Sequence, residues 1–406
     1  MTATWRVRNG FALLWAGLAV SFLGSAFSTL AIPLMVIQAT GSITQMGWMT
    51  AFHNSAGICV LLIGLFVDRV NPRKMLLCAD ILQMISAASV PLCWWWLGPR
   101  MPVLYVRVVT ETALYWVFRL GFYRLLDAVL NRQSLMKANS RIDGTFAVTM
   151  VFGPLLAGYV CARFGGAAAI GLDALSYGVS ALALIAMRLP PAARGREAVL
   201  LAPDGGLRAG FQFVLKSPLL KLGTVLAGGA AIIELTALDL LIFRLEKELG
   251  HGDTVVGYVM AAGSVGAVVG SALAPRLRLR FGFLRLFLGS LGIQASALLA
   301  ASQVASPVAI LFVAVVFMGC SFLHRTTWAS VRQELTPRPL VGRVAAVVMS
   351  ASQLPGLLAI PAIAWYASAQ GCRSAFALVG GILVVITLGF GLWGPAYLEL
   401  PPPAPP

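Results

Sequence analysis

Ionisable residues within long apolar stretches are where this chain is expected to do chemistry, because a charge inside hydrocarbon is costly without a partner or a task. Glu111 follows Arg107 by four residues, a spacing that places both side chains on one face of a helix. The pair is either a self-neutralised structural contact or a site of proton coupling. Coupling would require the two side chains to separate in one state of the protein.

Two further acids and a histidine occupy similar positions. Glu234 has no basic residue one turn away in its own helix, and Asp239 follows five residues later. An unpaired buried carboxylate is either protonated or holds a cation, which suits proton exchange or recognition of a cationic drug. His53 could change its charge near neutral pH, although a lone histidine among small residues is more often a packing group. Asp143 and Asp173 are expected nearer the water interfaces, where they would cap or pair.

The elements that hold these residues must be membrane-spanning helices. Of the 406 residues 59% are hydrophobic and 11% are charged, which leaves too little polar surface for a water-soluble globule. A span needs about 20 apolar residues. The predicted fold is therefore an all-α membrane protein with twelve transmembrane helices in two pseudo-symmetric six-helix halves. The predicted spans are 11–37, 44–67, 75–97, 102–122, 142–162, 166–187, 217–243, 253–275, 283–302, 306–324, 344–369 and 373–396.

Charge patterning predicts the orientation. The formal net charge is +15, but the basic residues are spread over short loops, so nucleic acid is not a predicted partner. One side of the predicted membrane holds 24 of the 30 Lys and Arg residues and the other side holds five. The positive-inside rule then places both termini in the cytoplasm of a multi-pass inner-membrane protein. The predicted parts are a first half over 1–187, a cytoplasmic linker with a short surface helix over 188–216, a second half over 217–396 and a disordered proline-rich tail over 397–406.

A charged hinge connects the second and third predicted spans. Its glycine allows close helix approach, and its single carboxylate stands among three cations. Such a carboxylate can cap a neighbouring helix and bridge to arginines, closing an inner gate; the alternative is a topology signal alone. The second-half counterpart, 270–280, keeps the glycine and the cations without an acid, so its role is expected to be weaker. The hinge residues are Gly64, Asp68, Arg69, Arg73 and Lys74.

Two motifs resemble those of the major facilitator superfamily. The hinge is similar to the loop between spans 2 and 3 of that family, with Asn71 and Pro72 where Gly-Arg is usual. The segment with Gly153, Pro154 and Gly158 resembles the antiporter motif that the family associates with exporters. The resemblance implies a twelve-helix transporter that works by alternating access.

The chain also resembles one branch of that superfamily, the macrolide-efflux and enterobactin-exporter-like transporters. Many exporters of this branch carry Gly-Asp in span 1, whereas this chain has Gly24 and Ser25, so a protonation role there has moved or is lost. The residues that carry the resemblance are Leu14, Trp15, Gly17, Val20, Ser21, 40–42, 67–69, Ala79, Asp80, Ala138, Asn139, Gly153, Pro154, 335–337 and 342–344.

These observations predict proton-coupled antiport of an amphipathic drug, siderophore or secondary metabolite by a monomer. The alternatives are uptake of a small solute and a transport-inactive membrane sensor. No cofactor, metal, ATP or enzymatic activity is predicted, because the chain has no P-loop and its six cysteines and three histidines form no ligand spacing. Cargo would bind between the halves, in a cavity to which aromatic side chains contribute. The aromatic candidates are Trp48, Phe52, Tyr115, Trp116 and Phe118.

Overall fold

The computed structural model describes residues 2–54, 71–129, 132–187, 206–337 and 340–393, and within these ranges the chain is helical without any strand. α2 is described over 43–54 only. α8 continues into a π-helical turn, Arg244–Glu248. The other helices are α1 Thr2–Thr40, α3 Pro72–Leu97, α4 Met101–Val129, α5 Arg132–Phe164, α6 Gly166–Ala186, α7 Gly206–Lys216, α8 Pro218–Phe243, α9 Asp253–Phe281, α10 Phe283–Gln303, α11 Pro307–Leu335, α12 Val341–Gln353 and α13 Gly356–Trp393.

Local sequence sets several of these boundaries. Asn71 caps α3, since its side-chain oxygen accepts a hydrogen bond from the Lys74 amide at 3.2 Å and Pro72 occupies the first turn. The residues that depart from the family's hinge pattern therefore begin a helix. Within α13, Gly371 has a φ of +82°, which a glycine adopts without steric cost, and the element is two helices joined by a tight turn.

Nine helical stretches in the described ranges are long and apolar enough to cross a membrane, and one of them, Val341–Phe390, includes α12 and most of α13. α4 is not among them, because Arg107, Glu111 and Arg119 interrupt its apolar surface, yet its 29 residues would extend about 43 Å. The chain is thus an all-helical, multi-pass membrane protein.

The helices form two packed groups. In the first, α1 packs against α5 and α6, and α3 packs against α4 and α6. In the second, α9 packs against α11, while α10 packs against α11 and α13. α7 lies after the connection between the groups and packs on α12, where Gly210 faces the backbone of Arg343. The end of the bundle that carries this connection is called the linker end below, and the opposite end is called the distal end.

The two groups meet closely at the distal end. A Cβ atom on Gly257 of α9 would lie 2.6 Å from the Pro154 carbonyl oxygen of α5, so only glycine fits there. A Cβ on Gly158 would lie 2.9 Å from the Gly257 Cα atom. The amide of Gln38 in α1 also donates to the Asp253 carboxylate at 3.2 Å. The small residues of the antiporter-like motif thus form a tight helix contact, and this contact joins the halves.

Candidate functional site

A cavity of about 650 Å³ lies between the two groups of helices. Residues of α1, α2, α4 and α5 line it on one side, and residues of α8, α9 and α11 line it on the other. Of the five aromatic side chains predicted to contribute, Tyr115, Trp116 and Phe118 line the cavity. Trp48 and Phe52 are not among its lining residues and instead pack on each other, with ring centroids 6.1 Å apart. The volume suits a drug-sized ligand.

Arg107 lies at the centre of a buried charged cluster in the first half. Its side chain is fully buried, and Nη2 donates to Asp173 Oδ2 of α6 at 2.9 Å. Ser28 of α1 donates its hydroxyl to the same carboxylate oxygen. The expectation that Asp173 pairs is confirmed: its carboxylate has no exposed surface and joins three helices. The sequence could not reveal the contact, because 66 residues separate Asp173 from Arg107.

Glu111 is the cavity-facing member of this cluster. Its Oε2 atom lies 3.4 Å from Arg107 Nη1, so the predicted pair exists, but the two atoms are not aligned for a hydrogen bond. Glu111 lines the cavity and keeps 11% of its side chain exposed, whereas Asp173 keeps none. Arg107 is thus held mainly by Asp173, and Glu111 is the acid that cavity water or a ligand can reach.

Gly24 and Ser25 of α1 lie beside this cluster, at the position where the resemblance to exporters implied Gly-Asp. A Cβ on Gly24 would lie 2.0 Å from Ser176 Oγ, so glycine allows α1 to approach α6. The Ser25 hydroxyl lies 3.2 Å from the Tyr177 hydroxyl, and the Tyr177 ring centroid lies 5.9 Å from the Arg107 guanidinium carbon. In this chain the carboxylate next to α1 is therefore contributed by α6.

Glu234 has two basic partners in the second half, and both come from α11. His324 Nε2 lies 3.0 Å from Glu234 Oε1, outside hydrogen-bond alignment, and Arg325 Nη1 lies 3.6 Å from Oε2. The interpretation of Glu234 as an unpaired acid is wrong, because a search of its own helix cannot detect a neighbouring helix. His324 is itself buried and packs on Phe287, with centroids 5.1 Å apart.

Two other carboxylates line the cavity without a basic partner described. Asp239 of α8 is 5% exposed, its Oδ2 atom has no hydrogen-bond partner, and Thr50 of α2 is a neighbour of the carboxyl group. Asp80 of α3 is 1% exposed, and its Oδ2 atom is likewise without a partner, while Ser180 of α6 lies beside the group. Asp80 was missed as a candidate, although it is a lone acid within a predicted span, the same signal that identified Glu234.

His53 also lines the cavity. Its side chain is exposed there, and its Nδ1 atom lies 3.3 Å from the Thr112 hydroxyl of α4. His53 is therefore not a packing group among small residues, which was the alternative, because its side chain is exposed to the cavity. A ligand in the cavity could contact the imidazole directly.

Three of the hinge residues, Gly64, Asp68 and Arg69, lie outside the described residues, so the gate remains a prediction. Arg73 is described: its guanidinium donates to the Leu184 and Ile185 carbonyl oxygens at 2.9 and 3.0 Å, which ties α3 to the end of α6. Lys74 belongs to the first turn of α3.

In the second-half counterpart of the hinge, the missing acid is supplied by another helix. Arg278 of α9 makes a two-point contact with Glu334 of α11, at 2.8 and 2.5 Å. The close approach of these helices depends on Gly270, where a Cβ would lie 2.0 Å from the Gly319 carbonyl oxygen. Each half therefore has an arginine at the linker end, and in each half the partner of this arginine belongs to another helix.

Within the described ranges, no three His, Cys, Asp or Glu side chains are grouped to hold a metal ion. The site instead combines an apolar, partly aromatic cavity with isolated acids and one neutralised cluster. Such a site can bind and release a small molecule and exchange protons with it.

Similarity to known proteins supports a transport function. The chain is 27% identical over 263 residues to the enterobactin exporter EntS of Shigella boydii serotype 18 and of Escherichia coli O1:K1; the match covers 64% of this chain and 61% of each relative's length. Its fold resembles the nucleoside transporter NupG, with a TM-score of 0.70, 13% identity, and coverage of 97% of this chain and 100% of that one. It also resembles a bacterial homologue of the iron transporter ferroportin in the inward-facing state, with a TM-score of 0.68, 16% identity, and coverage of 93% and 98%. The model for the Major Facilitator Superfamily matches residues 14–359, and the chain therefore belongs to that superfamily, whose members here are transporters and not enzymes.

Proposed function

We propose that this protein is a proton-driven exporter of a small amphipathic molecule. It would cross the bacterial inner membrane twelve times, with both termini in the cytoplasm, as a monomer. The count of twelve adds three spans to the nine long apolar stretches. We add α2, taken to extend to the hinge, and the charged α4, and we divide the stretch Val341–Phe390 into two spans at Gly371. Proton influx would supply the energy, at about 2.3 kcal/mol per charge for each 100 mV of membrane potential.

The unequal sharing of Arg107 between two acids favours proton coupling at Glu111. Asp173 holds the guanidinium at 2.9 Å from the fully buried side, while Glu111 stands 3.4 Å away on the cavity side. Because Asp173 neutralises Arg107 by itself, Glu111 can take up a proton without leaving a buried cation alone. Glu111 can therefore alternate between an ion pair with Arg107 and a neutral acid, which is the separation that coupling requires.

The contacts between the halves support alternating access. Gly158, Gly257 and the Gln38–Asp253 hydrogen bond close the distal end, which the charge bias places outside. The cavity would then open toward the cytoplasm, the state named for the ferroportin homologue. The hinge with Gly64, Asp68, Arg69, Arg73 and Lys74 would close that side in the other state.

Export is favoured over uptake by two features. The relatives with matching sequence are named as enterobactin exporters, and α5 carries the antiporter-like motif at its contact with α9. Similarity to the nucleoside transporter extends to the fold alone at 13% identity.

Purified protein in sealed proteoliposomes tests this function. A proton gradient directed as in the cell should drive enterobactin, a macrolide or a cationic dye in the opposite direction, and dissipating the gradient with a protonophore should stop it. Glu111→Gln should remove the response to the gradient. Gly289→Ala, at an exposed position where a Cβ meets no neighbour, serves as the matched control and should behave as wild type. Gradient-driven movement that survives in Glu111→Gln would discard this coupling assignment, and no movement of any cargo would count against export.

A further inference from the structure

Among the residues that the structure describes, the charged side chains that line the central cavity are all of one sign. Asp80, Glu111 and Asp239 are lining residues, and among the described residues that line the cavity there is no lysine and no arginine. Histidine contributes a single side chain, His53. A cavity of this sign attracts cations and repels anions.

Two of these carboxylates have an oxygen without a partner. Asp80 and Asp239 are more than nine-tenths buried. The Oδ2 atom of each is inaccessible to water and accepts no hydrogen bond. The side-chain oxygen of Gln83, one turn from Asp80, is also without a partner. Buried acceptors without donors are costly. A positive charge held in the cavity beside these carboxylates would offset part of that cost.

Arg107 and Arg119 of α4 are engaged elsewhere. Arg107 has no exposed surface and is directed at Asp173. Arg119 donates to the Tyr115 hydroxyl at 2.5 Å and lies 5.8 Å from the centroid of the Trp116 ring. Neither guanidinium neutralises Asp80 or Asp239 in this arrangement. Within the described ranges no ion pair involves Asp80 or Asp239, so their negative charge is available to a ligand.

The apolar part of the cavity complements a ligand with aromatic rings. Lining side chains include rings from both halves, and aromatic faces attract cations as well as other rings. Met46, Met49, Met260 and Met318 add flexible apolar surface, which adapts to ligands of different shape. A volume of about 650 Å³ accommodates a molecule of several rings.

Resting on the transport function proposed above, we infer that the cargo is a cationic amphiphile, with an aromatic or polycyclic body and a quaternary or protonated nitrogen bound at Asp80 or at Asp239. An anionic cargo does not fit a lining of this charge. Asp80 belongs to the first half and Asp239 to the second.

Tetraphenylphosphonium and tetraphenylborate test this inference, because they have nearly the same size and shape and opposite charge. Equilibrium binding of each ion to the purified full chain in uncharged detergent is measured by dialysis. We expect tetraphenylphosphonium to bind at least about tenfold more tightly than tetraphenylborate. Equal binding, preference for the anion or no binding of the cation would overturn the inference, and this comparison needs no variant.

Variants then locate the site. Asp80→Asn and Asp239→Asn keep the side-chain shape and remove the charge, and the variant at the acid that holds the cation should weaken tetraphenylphosphonium binding by about tenfold. Asp143→Asn removes an exposed acid that does not line the cavity and should leave binding unchanged. Elution as a single peak in size-exclusion chromatography verifies folding of each variant. If both cavity variants bind the cation as wild type does, the site assignment is wrong.

The result separates this inference from the proposed function. Binding of the cation without gradient-driven movement of any cargo would contradict export and leave the site standing. Gradient-driven movement of enterobactin, with no binding of tetraphenylphosphonium, would support export and overturn the inference.

Discussion

Replacing Asp173 by asparagine should destabilise the protein more than any single change at the cavity-facing acids. Arg107 has no exposed surface, and Asp173 is the partner to which it donates, at 2.9 Å. Removing one partner of a buried ion pair costs about 3–5 kcal/mol, because the other charge is left in low dielectric. Glu111 remains at 3.4 Å and compensates in part, so we expect about 3 kcal/mol.

The loss can be measured as a lower midpoint of thermal unfolding in detergent. For a folding unit of 150–250 residues, the size of one half, 1 kcal/mol corresponds to about 2–4 °C. Asp173→Asn should therefore lower the midpoint by roughly 6–12 °C. Glu111→Gln should lower it by less than about 3 °C, since Arg107 keeps its aligned partner. Asp143→Asn at an exposed position should change the free energy of unfolding by less than about 0.5 kcal/mol.

A double variant identifies the cause. Arg107→Met combined with Asp173→Asn removes both charges, so it should recover much of the stability lost in Asp173→Asn. If the double variant is at least as unstable as the sum of the single changes, the loss does not come from an uncompensated arginine. Equal destabilisation by Glu111→Gln and Asp173→Asn would refute the unequal sharing of Arg107, and with it the reason for placing the exchangeable proton on Glu111.

Three further changes have defined outcomes. Gly257→Val should separate α5 from α9, because its Cβ would meet the Pro154 oxygen at 2.6 Å, and spin labels on the distal ends of these helices should report longer distances; unchanged distances would show that this contact does not close the distal end. Arg278→Gln should cost at most about 1 kcal/mol in unfolding free energy, since its partner Glu334 is 54% exposed, and a larger loss of thermal stability would make this pair structural. Asp68→Asn should impair transport while the variant still folds, and wild-type flux would remove Asp68 from the gate.

The apolar runs were sufficient to predict most helices, because the bilayer requires long segments whose backbone groups are satisfied internally. The Arg107–Glu111 pair was also predictable, since a spacing of four residues fixes the relative positions of two side chains on one helix. Both inferences depend on distances along a single element.

The partners contributed by other helices could not be predicted in this way. Contacts between Arg107 and Asp173, or between Glu234 and His324, depend on which helices are neighbours and on how each is rotated. Neither property follows from one sequence without an alignment. Asp80 is a different case, because a lone acid within a predicted span was visible and should have been weighed with Glu111.

The site residues differ in whether their surroundings can change during alternating access. The Arg107 and Glu234 clusters each lie within one half, so rocking of the halves leaves their mutual contacts in place. Asp239 is different, because its neighbour Thr50 belongs to the other half. A carboxylate at this boundary must exchange one set of neighbours for another whenever the halves move.

Thr50→Val therefore tests whether Asp239 responds to the movement. The change removes only the hydroxyl that faces Asp239 across the boundary and keeps the branched shape. A polar contact with a neutral partner contributes about 0.5–1.5 kcal/mol, so its loss should reduce the population of the distally closed state by roughly two- to tenfold relative to the open one. Spin-label distances across the distal end measure the two populations. Since Thr50 contributes to neither charged cluster, unchanged populations would show that the boundary carboxylate does not sense the position of the halves, and coupling would then rest on Glu111 alone.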